Sequence, residues 1–465
     1  MMKTFKMLLF VVVFFHCFSL SAQLIEADDH SNDFNTPLHL MKSDYKVPYG
    51  FVDPLEVKLI TDRILSFLDA ATPFRVVDKY SQNPLRSFEE INRNSMLERG
   101  TFRLASYEWG VTYSGMLHLA NVTGDQLYAR YVSERFQFLA GVAPYFEKLL
   151  KEGIVEPQMR QMLHPEALDD AGAMCVAMIK SLNAGFSIPL DNRITTYINY
   201  IMNEEYRLAD GTFARNRPQP NTVWLDDMYM AIPAIAHMGT YTGDKKYYDE
   251  AIRQVKLFAG RMYVEEKKLF RHGWVESMQD HPAFFWGRAN GWAILTLVEV
   301  LDAIPDGYPE RNVVLSLLRR HIQGLATLQS GEGFWHQLLD RNDSYLETSA
   351  TAIFTYCIAR SINEGWIDAL VYGPVASLGW NAVSTMINDK GEVLNTCVGT
   401  GMGFDPAFYY YRPVHRYAAH GYGPVLLAGA EIIRMASNTN PKINDSAVQF
   451  YSKPQKSTEP IFWVE

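Results

Sequence analysis

Cysteine is scarce in this chain, with four in 465 residues, at positions 17, 175, 357 and 397. Leaving aside Cys17, which lies in the first apolar stretch, the remaining three form an odd and widely spaced set that excludes a disulfide framework. Cys175 and Cys357 fall within apolar helical patterns and read as buried thiols. No CxxC or HExxH pair occurs, so neither a metal site nor a cofactor is predicted. A basic stripe is also lacking: Lys and Arg number 43 against 52 Asp and Glu, a formal net charge of −9. That balance excludes nucleic acid as a partner. Beyond the N-terminal stretch no apolar run is long enough to span a bilayer, so the mature chain is expected to be soluble. A phosphate loop is excluded too, because Gly399-Thr400-Gly401-Met402-Gly403 is not followed by Gly-Lys-Ser/Thr. Those glycines instead permit close backbone approach.

The first residues have the form of a secretory signal. Lys3 and Lys6 precede the apolar run Met7 to Phe15, and Ser19, Ser21 and Ala22 supply the small residues a signal peptidase needs. Cleavage is expected after Ala22, with Ser21 as the alternative. Cys17 follows Phe14-Phe15-His16 rather than a small residue, so no lipid anchor is expected and the protein is placed in the periplasm or outside the cell. The organisation predicted is a signal peptide over 1–22, a polar lead-in over 23–50, one catalytic-sized domain over 51–437 and a C-terminal extension over 438–465.

Helical periodicity dominates from about residue 54, with segments near 54–71, 105–121, 125–149, 166–184, 191–203, 224–241, 244–261, 289–304, 309–329, 347–362, 364–382 and 418–437. Strand signals are few, with short candidates such as Thr222 to Leu225 and Val393 to Val398. Connections alternate in length. Thr123-Gly124-Asp125 and Thr242-Gly243-Asp244 are short, repeat one another and join hairpin partners; 72–104, 204–223, 262–288, 330–346 and 383–417 are long. Six hairpins with this alternation predict an all-α closed ring of helix pairs with every long loop at one end. The unusual helix starts gather on that rim: Tyr107-Glu108-Trp109-Gly110, Leu168-Asp169-Asp170, Trp224-Leu225-Asp226-Asp227, Trp286-Gly287-Arg288-Ala289-Asn290-Gly291-Trp292, Glu347-Thr348-Ser349 and His420-Gly421-Tyr422-Gly423. With 9 Trp, 26 Tyr and 26 Phe in the chain, aromatic rings are available both for the core and for stacking on sugars.

Two adjacent carboxylates opening an apolar segment, as at Asp226-Asp227, are costly to bury unless something pairs with them or uses them. Asp also starts helices, where it favours the positive end of the dipole. The set Trp224-Leu225-Asp226-Asp227, Arg271-His272-Gly273-Trp274, Trp286 to Trp292 and Gly399-Thr400-Gly401 resembles the unsaturated uronyl hydrolases of glycoside hydrolase family 105, related to family 88, over about residues 54 to 437. The resemblance implies an (α/α)6 barrel. It also implies removal of a 4,5-unsaturated uronic acid from the non-reducing end of lyase-made oligosaccharides, by hydration of the C4=C5 bond. By motif position it assigns Asp226 to proton transfer and Asp170, in preference to Asp169, as the second carboxylate. Arg288 and His272 are implied as substrate contacts. Trp224, Trp286, Trp292, Tyr107 and Trp109 are candidate sugar platforms on the same rim, while Asp227 is expected to be structural. A polysaccharide lyase, another (α/α)6 glycosidase and a non-catalytic glycan-binding protein are the competing readings.

Overall fold

Six helices whose sequences are apolar nearly all round, α2 (Tyr107–Thr123), α5 (Leu168–Asn183), α7 (Asp227–Thr242), α9 (Gly287–Ala303), α11 (Thr348–Asn363) and α14 (Tyr422–Asn438), pack side by side in that order, and α14 closes on α2. A helix that is apolar all round belongs inside. Around them stand the amphipathic helices α1 (Pro54–Ala71), α3 (Gln126–Lys151), α6 (Asp191–Asn199), α8 (Lys245–Met262), α10 (Arg311–Ala326) and α12 (Ala369–Ser384). In α8 the buried residues Tyr248, Ala251, Ile252, Val255, Phe258 and Met262 recur at helical spacing and form one face. The architecture is the predicted (α/α)6 barrel. The computed structural model describes residues 30–37, 41, 43–444 and 446–452; the signal peptide and cleavage site expected from the sequence lie outside them. The chain divides into two units, Met1–Asp44 and Tyr45–Glu465. In the first, Asn32 and Asn35 organise a local turn by accepting one another's backbone N–H groups. The second holds the barrel.

The repeated Thr-Gly-Asp has a direct cause. Gly124 and Gly243 end α2 and α7 in the left-handed region, at φ 74 and 73°, and the next residue, Asp125 or Asp244, caps the outer helix by accepting from Leu127 N or Lys246 N. One tripeptide thereby stops an inner helix and starts its outer partner. At the other end the inner helices touch backbone to backbone. A Cβ added to Gly172 would lie 1.8 Å from the Met230 carbonyl oxygen, and one added to Gly110 would lie 2.4 Å from the Ala173 carbonyl carbon.

Two buried glutamates tie the ring together near the short-loop end. Glu299 of α9 meets Lys180 of α5 and His237 of α7, each at 2.6 Å. Glu431 of α14 meets His118 of α2 at 2.6 Å and Arg360 of α11 at 2.9 Å. Burial pushes the Glu431 carboxyl up, but His118 and Arg360 outweigh it and hold it at about 2. Arg360 also reaches Asp302 of α9 at 3.0 Å, which joins the two clusters.

Two short helices, α4 (Pro157–Leu163) and α13 (Pro406–Tyr410), lie in long loops where the sequence pattern was too brief to register them. Thr222–Trp224 is a strand as predicted, paired antiparallel with Gly273–Val275. The segment from Val393 to Val398 forms only isolated bridges, Ile387 to Val393 and Cys397 to Val414. Part of each predicted terminal segment belongs to the barrel unit. Val47 packs with Phe334 and Ala382, and Thr439–Ile443 pairs with Val448–Ser452 in a hairpin against α12. Cys175, Cys357 and Cys397 are free and buried. Among the described residues no helix is long and apolar enough to cross a membrane.

His321 of α10 is buried against Asn290 of α9, with Nε2 3.1 Å from Oδ1, while its Nδ1 has no partner. Burial pulls the imidazole down to about 3. The folded state thus stays unprotonated where the unfolded chain, titrating near 6.5, takes up a proton. Stability is unaffected above pH 6.5 and falls below it, by about 1.4 kcal/mol per pH unit from this residue. Urea midpoints at pH 8, 6.5 and 5 should show His321→Gln losing less stability than wild type as the pH drops.

Candidate active site

Strand pairing brings the first two groups of the site together. Trp224 sits opposite Gly273, and Leu225 N–H donates to the His272 carbonyl at 2.9 Å. That register sets Asp226, the residue before α7, beside His272. Asp226 makes no side-chain cap to its own helix, so its carboxylate is left for other contacts. His272 Nε2 lies 2.8 Å from Asp226 Oδ2, and His272 Nδ1 lies 2.6 Å from the Tyr409 hydroxyl.

Asp226 opens onto a cavity of about 180 Å³ at the long-loop end. Tyr107 from the start of α2 lines it, as do Asp169 from α5, Trp286, Arg288 and Trp292 from the start of α9, and His420 just before α14. The loops add Arg215, Arg217, Trp224, Thr400 and Gly401. Gly401 lies against the Trp224 ring, where an added Cβ would come within 3.2 Å of it. Six inner helix N-termini gather around this end, and each carries partial positive charge.

Arg288 is 1 % exposed. Its Nη atoms donate to the Cys397 and Val398 carbonyls, each at 2.6 Å, and more weakly to Ser349 Oγ at 3.3 Å. The carbonyls are held in place because Glu347, which caps α11 through Ser349 N and Ala350 N, also accepts from Cys397 N at 2.9 Å. Nε of Arg288 has no partner, and among the described residues no carboxylate pairs with this guanidinium. A buried, unpaired cation on a cavity wall is costly unless an anion completes it. Burial, helped by the field of Arg288, holds His420 well below the usual histidine range, so the ring that meets Tyr107 Oη at 2.7 Å is neutral.

The other carboxylates are already engaged. Arg215 spans Asp227 and Asp169, with Nε 2.9 Å from Asp227 Oδ2, Nη1 3.1 Å from Asp169 Oδ2 and Nη2 3.1 Å from Asp169 Oδ1. Asp227 is fully buried in that pair, in keeping with a structural role. Arg215 and Arg217 each lie 4.8 Å from the Trp224 ring.

Three sequence-based placements change. Asp169, not Asp170, faces the cavity: one residue on a helix turns a side chain by about 100°, and Asp170 instead accepts from Glu166 N at 3.0 Å and lies 3.8 Å from Arg160. His272 is fully buried behind Asp226, where it touches the carboxylate rather than the cavity. Trp109 is fully buried as well; its ring stacks on Phe102 at 4.7 Å and its Nε1 donates to the Tyr131 hydroxyl. Asp226, Arg288, Trp224, Trp286, Trp292 and Tyr107 do come together. Arg215 and Arg217 were not foreseen as site residues, and their alternation just before a strand was the available signal; Tyr409, in the Tyr409-Tyr410-Tyr411-Arg412 run that the sequence offers as a second candidate wall, lies behind His272.

Removing the cation of the Arg215 cluster leaves Asp227 buried and unpaired, at a cost of about 3–5 kcal/mol. Arg215→Met should therefore lower the urea midpoint markedly, and adding Asp227→Leu should recover most of the loss.

Comparisons with known proteins bear on the family and the fold. The family model of Glycosyl Hydrolase Family 88 matches residues 76–436. An unsaturated 3S-rhamnoglycuronyl hydrolase from Alteromonas sp. is 29 % identical over 216 residues, which are 45 % of this chain and 51 % of that protein. An unsaturated rhamnogalacturonyl hydrolase from Bacillus subtilis is 26 % identical over 241 residues, 50 % of this chain and 68 % of that one. The matches thus span about half to two thirds of these relatives' lengths. In fold, the structure of a possible GH105 member from Salmonella enterica superposes with a TM-score of 0.66 at 23 % identity, covering 86 % of this chain and 98 % of that one. With the family match running from the strand at Val76 to within two residues of the end of α14, the chain belongs to glycosyl hydrolase family 88.

Proposed function

We propose that this protein removes a 4,5-unsaturated uronic acid from the non-reducing end of oligosaccharides made by polysaccharide lyases. The observation that carries the reading is the buried, unpaired Arg288 guanidinium in the same small cavity as Asp226. A uronate carboxylate is the planar anion a guanidinium holds best, and Trp224, Trp286 and Trp292 line the space a sugar ring would enter.

The chemistry needs one acid that becomes a base. Asp226 donates a proton to C4 of the enol ether, and positive charge develops at C5 and the ring oxygen. The resulting carboxylate then takes a proton from water as the water oxygen bonds to C5. The hemiketal so formed opens, leaving a ketone at C5 and a hemiacetal at C1 that releases the next sugar. Because the reaction centre is a double bond, the two-carboxylate spacing of ordinary glycosidases does not apply. Asp169, bound by Arg215, sits on the cavity wall where it can accept a hydrogen bond from a sugar hydroxyl or the attacking water. The leaving sugar in this proposal is rhamnose or an arabinogalactan-type residue, supported by the rhamnose-containing substrates in the relatives' names. The working compartment is the periplasm or the exterior, supported by the N-terminal signal pattern.

Loss of the ultraviolet absorbance of the conjugated enol-ether acid measures the reaction directly, and a screen of unsaturated disaccharides identifies the leaving sugar. Asp226→Asn should lower kcat by about 10²–10⁴. Arg288→Ala should weaken transition-state binding by about 1.5–3 kcal/mol, the worth of a hydrogen bond to a charged group, and saturated uronides should not be cleaved. An absorbance rise with intact polysaccharide would make the protein a lyase instead, and equal rates for wild type and Asp226→Asn would remove Asp226 from the chemistry.

A further inference from the structure

Tyr409 lies outside the cavity wall, yet it is completely buried and ends a hydrogen-bonded line that reaches Asp226. It sits on the one-turn helix Pro406–Tyr410, which Asp405 caps by accepting from Phe408 N at 3.0 Å. Gly403 N lies 2.9 Å from the Tyr409 hydroxyl, the hydroxyl lies 2.6 Å from His272 Nδ1, and His272 Nε2 lies 2.8 Å from Asp226 Oδ2.

Donor and acceptor capacities orient this line. A backbone N–H only donates, so the Tyr409 oxygen accepts from Gly403. The single phenolic hydrogen is then free to donate to Nδ1, which fixes the neutral imidazole as the tautomer with hydrogen on Nε2. Nε2–H donates to Oδ2 of Asp226. Burial pushes the Tyr409 phenol up, outweighing the Gly403 N–H, so the hydroxyl keeps its hydrogen throughout the working range. Packing confirms the aim: the Tyr409 ring lies 5.6 Å from the His272 ring and 5.4 Å from that of Phe284, and Trp286 covers His272 at 4.7 Å.

We infer that Tyr409 is a positioning residue that sets the His272 tautomer, commits Oδ2 of Asp226 as a hydrogen-bond acceptor, and thereby makes Oδ1 the oxygen that carries the catalytic proton into the cavity. The inference rests on the proposed function only where it speaks of catalysis; the tautomer itself needs no substrate. Oδ1 delivers its proton to C4 and Oδ1 recovers one from water, while the proton on Nε2 never leaves the histidine. The groups facing Asp226 are His272 and Tyr409 behind it, and Arg288, Tyr107 and the neighbouring Asp227 around it, with Asp405 beside Tyr409.

The test is Tyr409→Phe, with Tyr409→Ala avoided because it opens a cavity. Histidine ¹⁵N spectra, assigned for His272 with His272→Gln, should show the Nε2–H tautomer in wild type and a mixture in Tyr409→Phe. In the absorbance assay, Tyr409→Phe should lower kcat about tenfold and change KM less than twofold, because Asp226 has lost the fixed donor that orients it. Thermal unfolding of both proteins, measured alongside, identifies any loss due to folding. A His272 that keeps pure Nε2–H in Tyr409→Phe would overturn the inference, as would an unchanged kcat. A wild type inactive on every unsaturated uronide would instead overturn the proposed function, and the spectra would still decide the role of Tyr409.

Discussion

Six inner helices pointing the same way is the constraint on which the rest of this structure depends. Hairpins with short links force every inner helix to run from the long-loop end to the short-loop end. Partial positive charge therefore collects around the cavity and partial negative charge at the far end. Each end is balanced differently. At the far end Lys180, His237, His118 and Arg360 lie among the helix C-terminal halves and bind the two buried glutamates, Glu299 and Glu431. These clusters link inner helices across their otherwise apolar contacts. At the near end carboxylates sit on the helix starts themselves, with Asp169 on α5, Asp227 on α7 and Glu347 capping α11, while Arg288 has no carboxylate within ion-pair distance among the described residues.

Within that field three aspartates on two adjacent helix starts are treated unequally. Arg215 takes Asp227 and Asp169 together, in a geometry that satisfies most of their lone pairs. Asp226 receives a histidine instead, and no arginine lies within ion-pair distance of it among the described residues. Neighbouring carboxylates are thus set apart by which partner reaches which one, and the one-residue turn of the helix makes that separation possible.

The barrel was legible in the sequence because its signal is long-range and redundant: twelve periodic segments and alternating link lengths each repeat the same information. Thr-Gly-Asp was visible as a repeat, and the structure supplies its reason in a left-handed stop followed by a cap. Asp226, Arg288 and the tryptophans at 224, 286 and 292 were legible because polar or aromatic residues at apolar helix starts are conspicuous. What failed was direction. Asp169 and Asp170 differ by a 100° rotation that no pattern fixes when both begin the helix. His272 and Trp109 stand in the right motifs but turn inward, the first drawn by Asp226 and Tyr409, the second by Phe102 and Tyr131. Tyr409 comes from a five-residue helix over a hundred positions away from His272, a pairing that only the folded chain reveals.

The column of rings beneath the cavity carries a kinetic meaning. Trp292 stacks on Tyr229 at 5.1 Å, and both are buried, as is Tyr356 near the glutamate clusters. The ring of helices is thus plugged rather than bored through. Under the proposed function a sugar chain would enter and leave by one doorway and could not thread. Each shortened chain would then present a saturated end with nothing to hydrate, so one chain end would yield one turnover and the supply of fresh ends would govern the flux.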